Sequence, residues 1–136
     1  MVINVLTFSI KDIGDMGNEL KIEFDKYAEK NNLNITINVE IMNYENPTSS
    51  YEKFKLLVES SLKKSNNIHN ISNEENATKF DLYFFDTRFT NLYGPYLLNL
   101  KDYIPKEFIE MYNSDIIEKT SFYNNELVGL VIIINK

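Results

Sequence analysis

Asp86, Thr87 and Arg88 put a carboxylate, a hydroxyl and a guanidinium on three consecutive residues, with Phe89, Tyr93 and Tyr96 close behind. Carboxylate and hydroxyl groups hydrogen-bond the hydroxyls of a sugar-like solute, while flat aromatic faces cover its apolar faces. The same residues also have a purely structural reading. Asp86 can cap a short helix that follows it, Arg88 can form a surface ion pair, and the three aromatics can be core.

Signatures of covalent or phosphoryl chemistry are missing. Gly14 and Gly17 lack the third glycine of a dinucleotide-binding fingerprint, and no phosphate-loop lysine follows them. There is no Gly-x-Ser-x-Gly elbow. The chain has no cysteine, which removes thiolate catalysis, disulfides and cysteine-rich metal sites. Its one histidine, His69, cannot build a histidine metal cluster and sits in a polar stretch that reads as solvated loop. Carboxylates are plentiful, but spacing alone picks out no acid–base pair. The expectation is a non-catalytic chain with no metal or cofactor.

The elements that must position Asp86–Arg88 follow from hydrophobic periodicity. Val2 to Phe8 is rich in branched apolar residues and reads as a strand buried on both faces. Ile10 to Asp15 is a polar turn. Met16, Leu20, Phe24, Tyr27 and Ala28 recur at helical spacing, so Met16 to Lys30 is an amphipathic helix ended by Asn31-Asn32. Ile35, Ile37, Val39 and Ile41 alternate with Thr36, Asn38 and Glu40, which makes Leu33 to Met42 a half-covered strand near a sheet edge.

Pro47 opens a second helix in which Ser49 and Glu52 have capping-box spacing, and Tyr51, Phe54, Leu57, Val58, Ser61 and Leu62 form the buried stripe. Residues 65–79, dominated by Asn, Ser and Glu, read as a mobile loop. Phe80 to Phe85 is a third strand, apolar enough to be central. An aromatic, partly helical stretch runs to Leu100, broken at Gly94-Pro95. A short helix follows from Pro105 to Tyr112, another lies near Ile116, and Leu127 to Asn135 is a last strand.

Strands separated by amphipathic helices imply βαβ units: an α/β domain of three αβα layers on a mostly parallel sheet, with 1–136 as one partial lobe. Open parallel sheets bind ligands beyond the carboxyl ends of their strands, near a switch in strand order. That rule selects Thr7-Phe8-Ser9, Asn43-Tyr44 and Asp86-Thr87-Arg88.

Composition narrows the partners. A net charge of −6 with scattered lysines argues against nucleic acid and against a polybasic membrane patch. The longest apolar run, from Leu127 to Ile134, is far short of the roughly 20 residues of a membrane span. Met1 leads straight into Val2-Ile3-Asn4-Val5-Leu6, so no export signal is read here. Asn34-Ile35-Thr36, Asn70-Ile71-Ser72 and Asn76-Ala77-Thr78 have the acceptor pattern for N-glycosylation.

Phe80-Asp81-Leu82-Tyr83-Phe84-Phe85-Asp86-Thr87-Arg88-Phe89-Thr90, followed by Tyr93-Gly94-Pro95-Tyr96-Leu97-Leu98-Asn99-Leu100, resembles the extracellular solute-binding proteins of sugar transporters. Lys101-Asp102-Tyr103-Ile104-Pro105 and Asn124-Asn125-Glu126-Leu127-Val128-Gly129-Leu130 continue the likeness, which extends to related receptor ectodomains. The resemblance implies the first lobe of a two-lobed periplasmic-binding-protein-like fold and an extracellular or cell-surface location. It also implies a sugar or oligosaccharide ligand held in a cleft completed by a second lobe or receptor part. Asp86, Thr87, Arg88 and Tyr93 would supply part of the pocket, with Phe8, Ser9 and Tyr44 nearby.

Two alternatives stand beside it. In a phosphoacceptor receiver domain, Asp86 would be the aspartate at the end of strand three, although Phe8-Ser9-Ile10 stands where a magnesium-binding acidic pair belongs. The other is a fragment without independent function, which predicts uncovered apolar surface.

Overall fold

The computed structural model describes residues 1–9, 16–43, 47–66 and 79–131. Met1–Phe85 and Asp86–Lys136 form two compact units, where the sequence reading treats 1–136 as one lobe.

The first unit is built on β1 (Val2–Ser9), the middle strand of a parallel sheet of order β2-β1-β3. β2 is Thr36–Asn43 and pairs with β1 without a slip, from Val2 opposite Thr36 to Ser9 opposite Asn43. β3 is Leu82–Tyr83, opposite Val5 and Leu6. Backbone bonds from Asp81 N to Asn4 O (2.8 Å) and from Phe84 N to Leu6 O (2.9 Å) extend its contact by one residue each way. The Asp81 carboxylate also accepts from Asn4 N at 2.9 Å.

The six-residue central strand expected at Phe80–Phe85 is thus a two-residue strand with one neighbour among the described residues, and the central strand is β1. Of the apolar side chains in this segment Phe80 packs inward and Leu82 stays exposed. Phe80 is buried and meets Tyr83 edge-on at 6.0 Å.

The pleat assigns alternate residues to opposite layers. The odd positions Val5 and Thr7, with Ile37 and Ile41, face helix α1 (Met16–Lys30): a Cβ on Gly17 would come within 2.8 Å of the Ile41 side chain and 2.9 Å of Thr7 Cγ2. The even positions face helix α2 (Pro47–Asn66). Phe8 meets Phe54 edge-on at 5.3 Å, and the Tyr83 hydroxyl lies 2.8 Å from that of Ser61. The unit is therefore an α/β sandwich of three layers, with a parallel sheet between helices. Val5, Leu6, Phe54, Val58 and Leu62 are its buried centre, and each such side chain contributes about 1.5–3 kcal/mol relative to exposure.

The edge position of β2 fits its alternation, with Ile37 buried and Thr36, Asn38 and Glu40 exposed. α1 ends as Asn31-Asn32 predicts. Asn32 takes the left-handed conformation (φ 52), Leu33 N bonds Ala28 O at 2.8 Å and Asn32 N bonds Glu29 O at 3.1 Å, the paired bonds of a Schellman cap. Tyr27, expected on the buried stripe, is exposed, because it lies to one side of the Gly17–Phe24–Ala28 line. The 10–15 turn, the Ser49 side chain of the capping box and most of the 65–79 loop lie outside the described residues.

The second unit is made of short pieces. Turns of 3₁₀ helix at Thr87–Phe89, Gly94–Tyr96 and Leu100–Asp102 flank helix α3 (Thr90–Tyr93) and precede α4 (Lys106–Ile109) and α5 (Ser114–Thr120). A hairpin pairs β4 (Phe122–Tyr123) with β5 (Glu126–Leu127). The helix expected from Pro105 to Tyr112 stops at Ile109, and Asn113 then caps α5 by accepting from Asp115 N and Ile116 N.

The strand expected over 127–135 is corrected too. Only Leu127 belongs to a strand; it is antiparallel to β4, residues 128–131 carry none, and 132–136 lie outside the described residues. Asn124 and Asn125, at φ 47 and 66, make the two-residue turn that fixes this pairing. Leu127 and Val128 are buried with Tyr93 and Ile117 as the core. No described helix is long and apolar enough to cross a membrane.

Two substitutions test the α1–sheet contact, each read from the urea midpoint. Gly17→Ala gains about 1 kcal/mol of helix propensity, but its methyl meets Ile41 and Thr7 in a packed layer. Overpacking of about 1–3 kcal/mol outweighs that gain, so the variant is less stable. Thr7→Val has the opposite sign. Among the described residues the buried Thr7 hydroxyl has no hydrogen-bond partner, and replacing it with a methyl stabilises by about 1 kcal/mol.

Candidate functional site

The three strands of the first unit run parallel, so their carboxyl ends lie at one end of the sheet. The chain steps from β1 to β2 on one side, then crosses back to β3 on the other. The switch in strand order therefore falls between β1 and β3, where crevices open in sheets of this kind. Of the residues expected there, Phe8 is half-buried, with its ring edge-on to Phe54. Ser9 is the last residue of β1, with its side chain outside the described residues, and Tyr44 lies outside them altogether.

The second unit begins with Asp86, one residue after Phe85. Asp86 is the N-cap of the Thr87–Phe89 turn, its Oδ1 accepting from Arg88 N at 2.9 Å. The guanidinium of Arg88 folds back on the same carboxylate, Nε donating to Oδ1 at 3.0 Å and Nη2 to Oδ2 at 2.8 Å. The structural roles weighed for Asp86 and Arg88, cap and ion pair, are both present. The side chains are 30% and 73% exposed, so the pair is open to solvent. Thr87 is exposed between them. The side-chain hydrogen bond from Arg88, helped by the backbone N–H and the guanidinium charge, holds the Asp86 carboxyl below its usual range against a partial burial that opposes it.

Tyr93, which the resemblance puts in the pocket, is fully buried, tilted against Phe89 at 5.7 Å, in the core of its unit. The helical spacing of Phe89 and Tyr93 gives this packing outcome, which is the commoner fate of such pairs.

Two residues that sequence reasoning passed over hold the second unit together. Asn99 Oδ1 accepts from Lys101 N at 3.3 Å and from Leu127 N at 3.2 Å, joining a 3₁₀ turn to the hairpin. The buried Thr90 hydroxyl lies 2.6 Å from Thr120 O and 2.8 Å from Thr87 O. Its one proton ties the turn carrying Asp86 and Arg88 to the end of α5. A polar residue before a turn was the only signal for Asn99. Thr90 had none.

Among the described residues no three His, Cys, Asp or Glu side chains stand close enough to hold a metal ion. Asp86, by its geometry, is an ionised acceptor held by a guanidinium. Comparison with family models, with curated proteins and with solved structures returns no match.

The Asp86–Arg88 pair gives a pH prediction. Its folded-state pKa is lowered, so the stability it adds is fully present above the unfolded carboxylate value near 4 and is lost as pH falls through the folded pKa. Near-UV circular dichroism of the wild type loses amplitude on the acid side. Asp86→Asn, which keeps a cap acceptor but not the charge, has a flatter profile in that range and lower stability at pH 7.

Proposed function

We propose that this chain is part of a non-catalytic binding domain for a small, uncharged polar solute of sugar or oligosaccharide type, as in the first lobe of an extracellular solute-binding or receptor domain. The observation that carries this reading is the parallel order β2-β1-β3 of the first unit, whose switch point lies at the strand ends that Phe8 and Ser9 occupy.

The chemistry at Asp86–Arg88 suits a neutral polyol. Carboxylate and guanidinium cancel in charge, which gives little attraction for an ion. The depressed pKa keeps Asp86 an acceptor for hydroxyl donors at neutral pH. Thr87 adds a hydroxyl that both donates and accepts. Capture by such groups requires no covalent step, in keeping with the resemblance of residues 80–105 to sugar-binding proteins.

The test is titration calorimetry of the full chain against mono- and oligosaccharides. The expected result is saturable binding by at least one sugar, weakened about tenfold or more, or 1.4 kcal/mol, by Asp86→Ala and by Arg88→Ala. Glu118→Gln, on the exposed surface of α5, leaves it unchanged. Indifference to every sugar, with Asp86→Ala silent, would sink the proposal.

A further inference from the structure

We propose that Asn34 is an acceptor for an N-linked oligosaccharide. Of the three acceptor triplets, Asn34-Ile35-Thr36 is the one that falls within the described residues; Asn70 and Asn76 lie outside them. Asn34 sits in the coil between Asn32, which closes α1, and Thr36, the first residue of β2. Asn34 and Thr36 are exposed and Ile35 between them is half-buried. The acceptor amide and the hydroxyl that the triplet requires are thus in solvent, on a segment anchored by its middle residue.

The segment holds its place through its backbone. Asn34 O accepts from the Met1 amino group at 2.9 Å, and Thr36 N donates to Met1 O at 3.0 Å. The Asn34 side chain makes no hydrogen bond among the described residues, so a glycan on its Nδ2 breaks no bond of the fold.

The location fits the binding role as well. Thr36 stands beside Val2 at the amino end of the sheet. At about 3.3 Å per residue, β1 separates that end from Ser9 by about 23 Å. A bulky glycan on Asn34 therefore leaves the carboxyl ends of the strands uncovered. In the transfer, Asn34 Nδ2 bonds to C1 of the first sugar of a lipid-linked oligosaccharyl pyrophosphate. The C1–O bond breaks, the lipid pyrophosphate leaves with its electron pair, and the amide gives up one proton.

This inference rests on the export half of the proposed function and not on solute binding. The full chain, carrying a cleavable secretion leader and the substitutions Asn70→Gln and Asn76→Gln, is expressed in eukaryotic cells. Secreted and cell-retained protein are both analysed. The expected result is a band collapsed by peptide N-glycosidase, with glycan mapped to Asn34 by mass spectrometry. It is lost in Asn34→Gln and Thr36→Val and kept in Thr36→Ser. Entry into the secretory pathway with Asn34 unmodified overturns the proposal. If the chain does not enter, the purified protein is given to an oligosaccharyltransferase with its lipid-linked donor, and absence of transfer to Asn34 overturns it equally. The readout uses no solute, so a glycosylated chain that ignores every sugar removes the binding reading and leaves this one.

Discussion

Eight consecutive residues of β1 stand in register with eight of β2, and this unbroken ladder is the constraint on which the first unit depends. A strand has a side-chain period of two, so a slip of one residue would turn every buried side chain outward. With the register set, Val5, Ile37 and Ile41 belong to the layer under α1, and Leu6 and Phe8 to the layer under α2. The Thr7 hydroxyl, without a partner among the described residues, and the Gly17 contact follow from the same commitment. Residue 7 must face α1, and the first turn of that helix lies so close to the sheet that its second residue has room only for hydrogen.

Among the described residues the second unit has no such ladder. Its strands are two residues long, and its helices span four to seven residues. Helices this short are not stable by propensity. Order comes instead from side chains that satisfy backbone groups across pieces: Asn99 between a 3₁₀ turn and the hairpin, Thr90 between Thr87 and Thr120, Asn113 at the start of α5. Apolar contact at Tyr93, Ile117, Leu127 and Val128 fills the space between them. Leu98, Tyr103, Phe108 and Met111 remain exposed, as expected where short pieces cannot turn every apolar residue inward.

Much of the candidate site was legible in advance because it is local. Asp86 follows an apolar strand and precedes a helical turn, so the cap with Arg88 N two residues on could be read directly, and so could the ion pair. The burial of Tyr93 could not. Its spacing from Phe89 fits a core contact, the commoner outcome, and also a stacking platform, and only the surrounding short helices decide. The last strand failed for a related reason. A run such as Leu127–Ile134 states that it is apolar and extended but not what it pairs with, and the Asn124-Asn125 turn gave Leu127 to a hairpin.

The sequence by itself determined the alternation of strands and helices in the first unit, the bounds of α1, the start of α2 at Pro47 and the α/β class. Those follow from periodicity and from end signals within a few residues of each boundary. The tertiary structure decided which strand is central, where the switch point lies, how short β3 is, and that Tyr93 packs inward while Asp86 and Arg88 stay at the surface. Each of these depends on residues far apart in the chain competing for the same neighbours, and a pattern along the chain carries no record of how that competition ends.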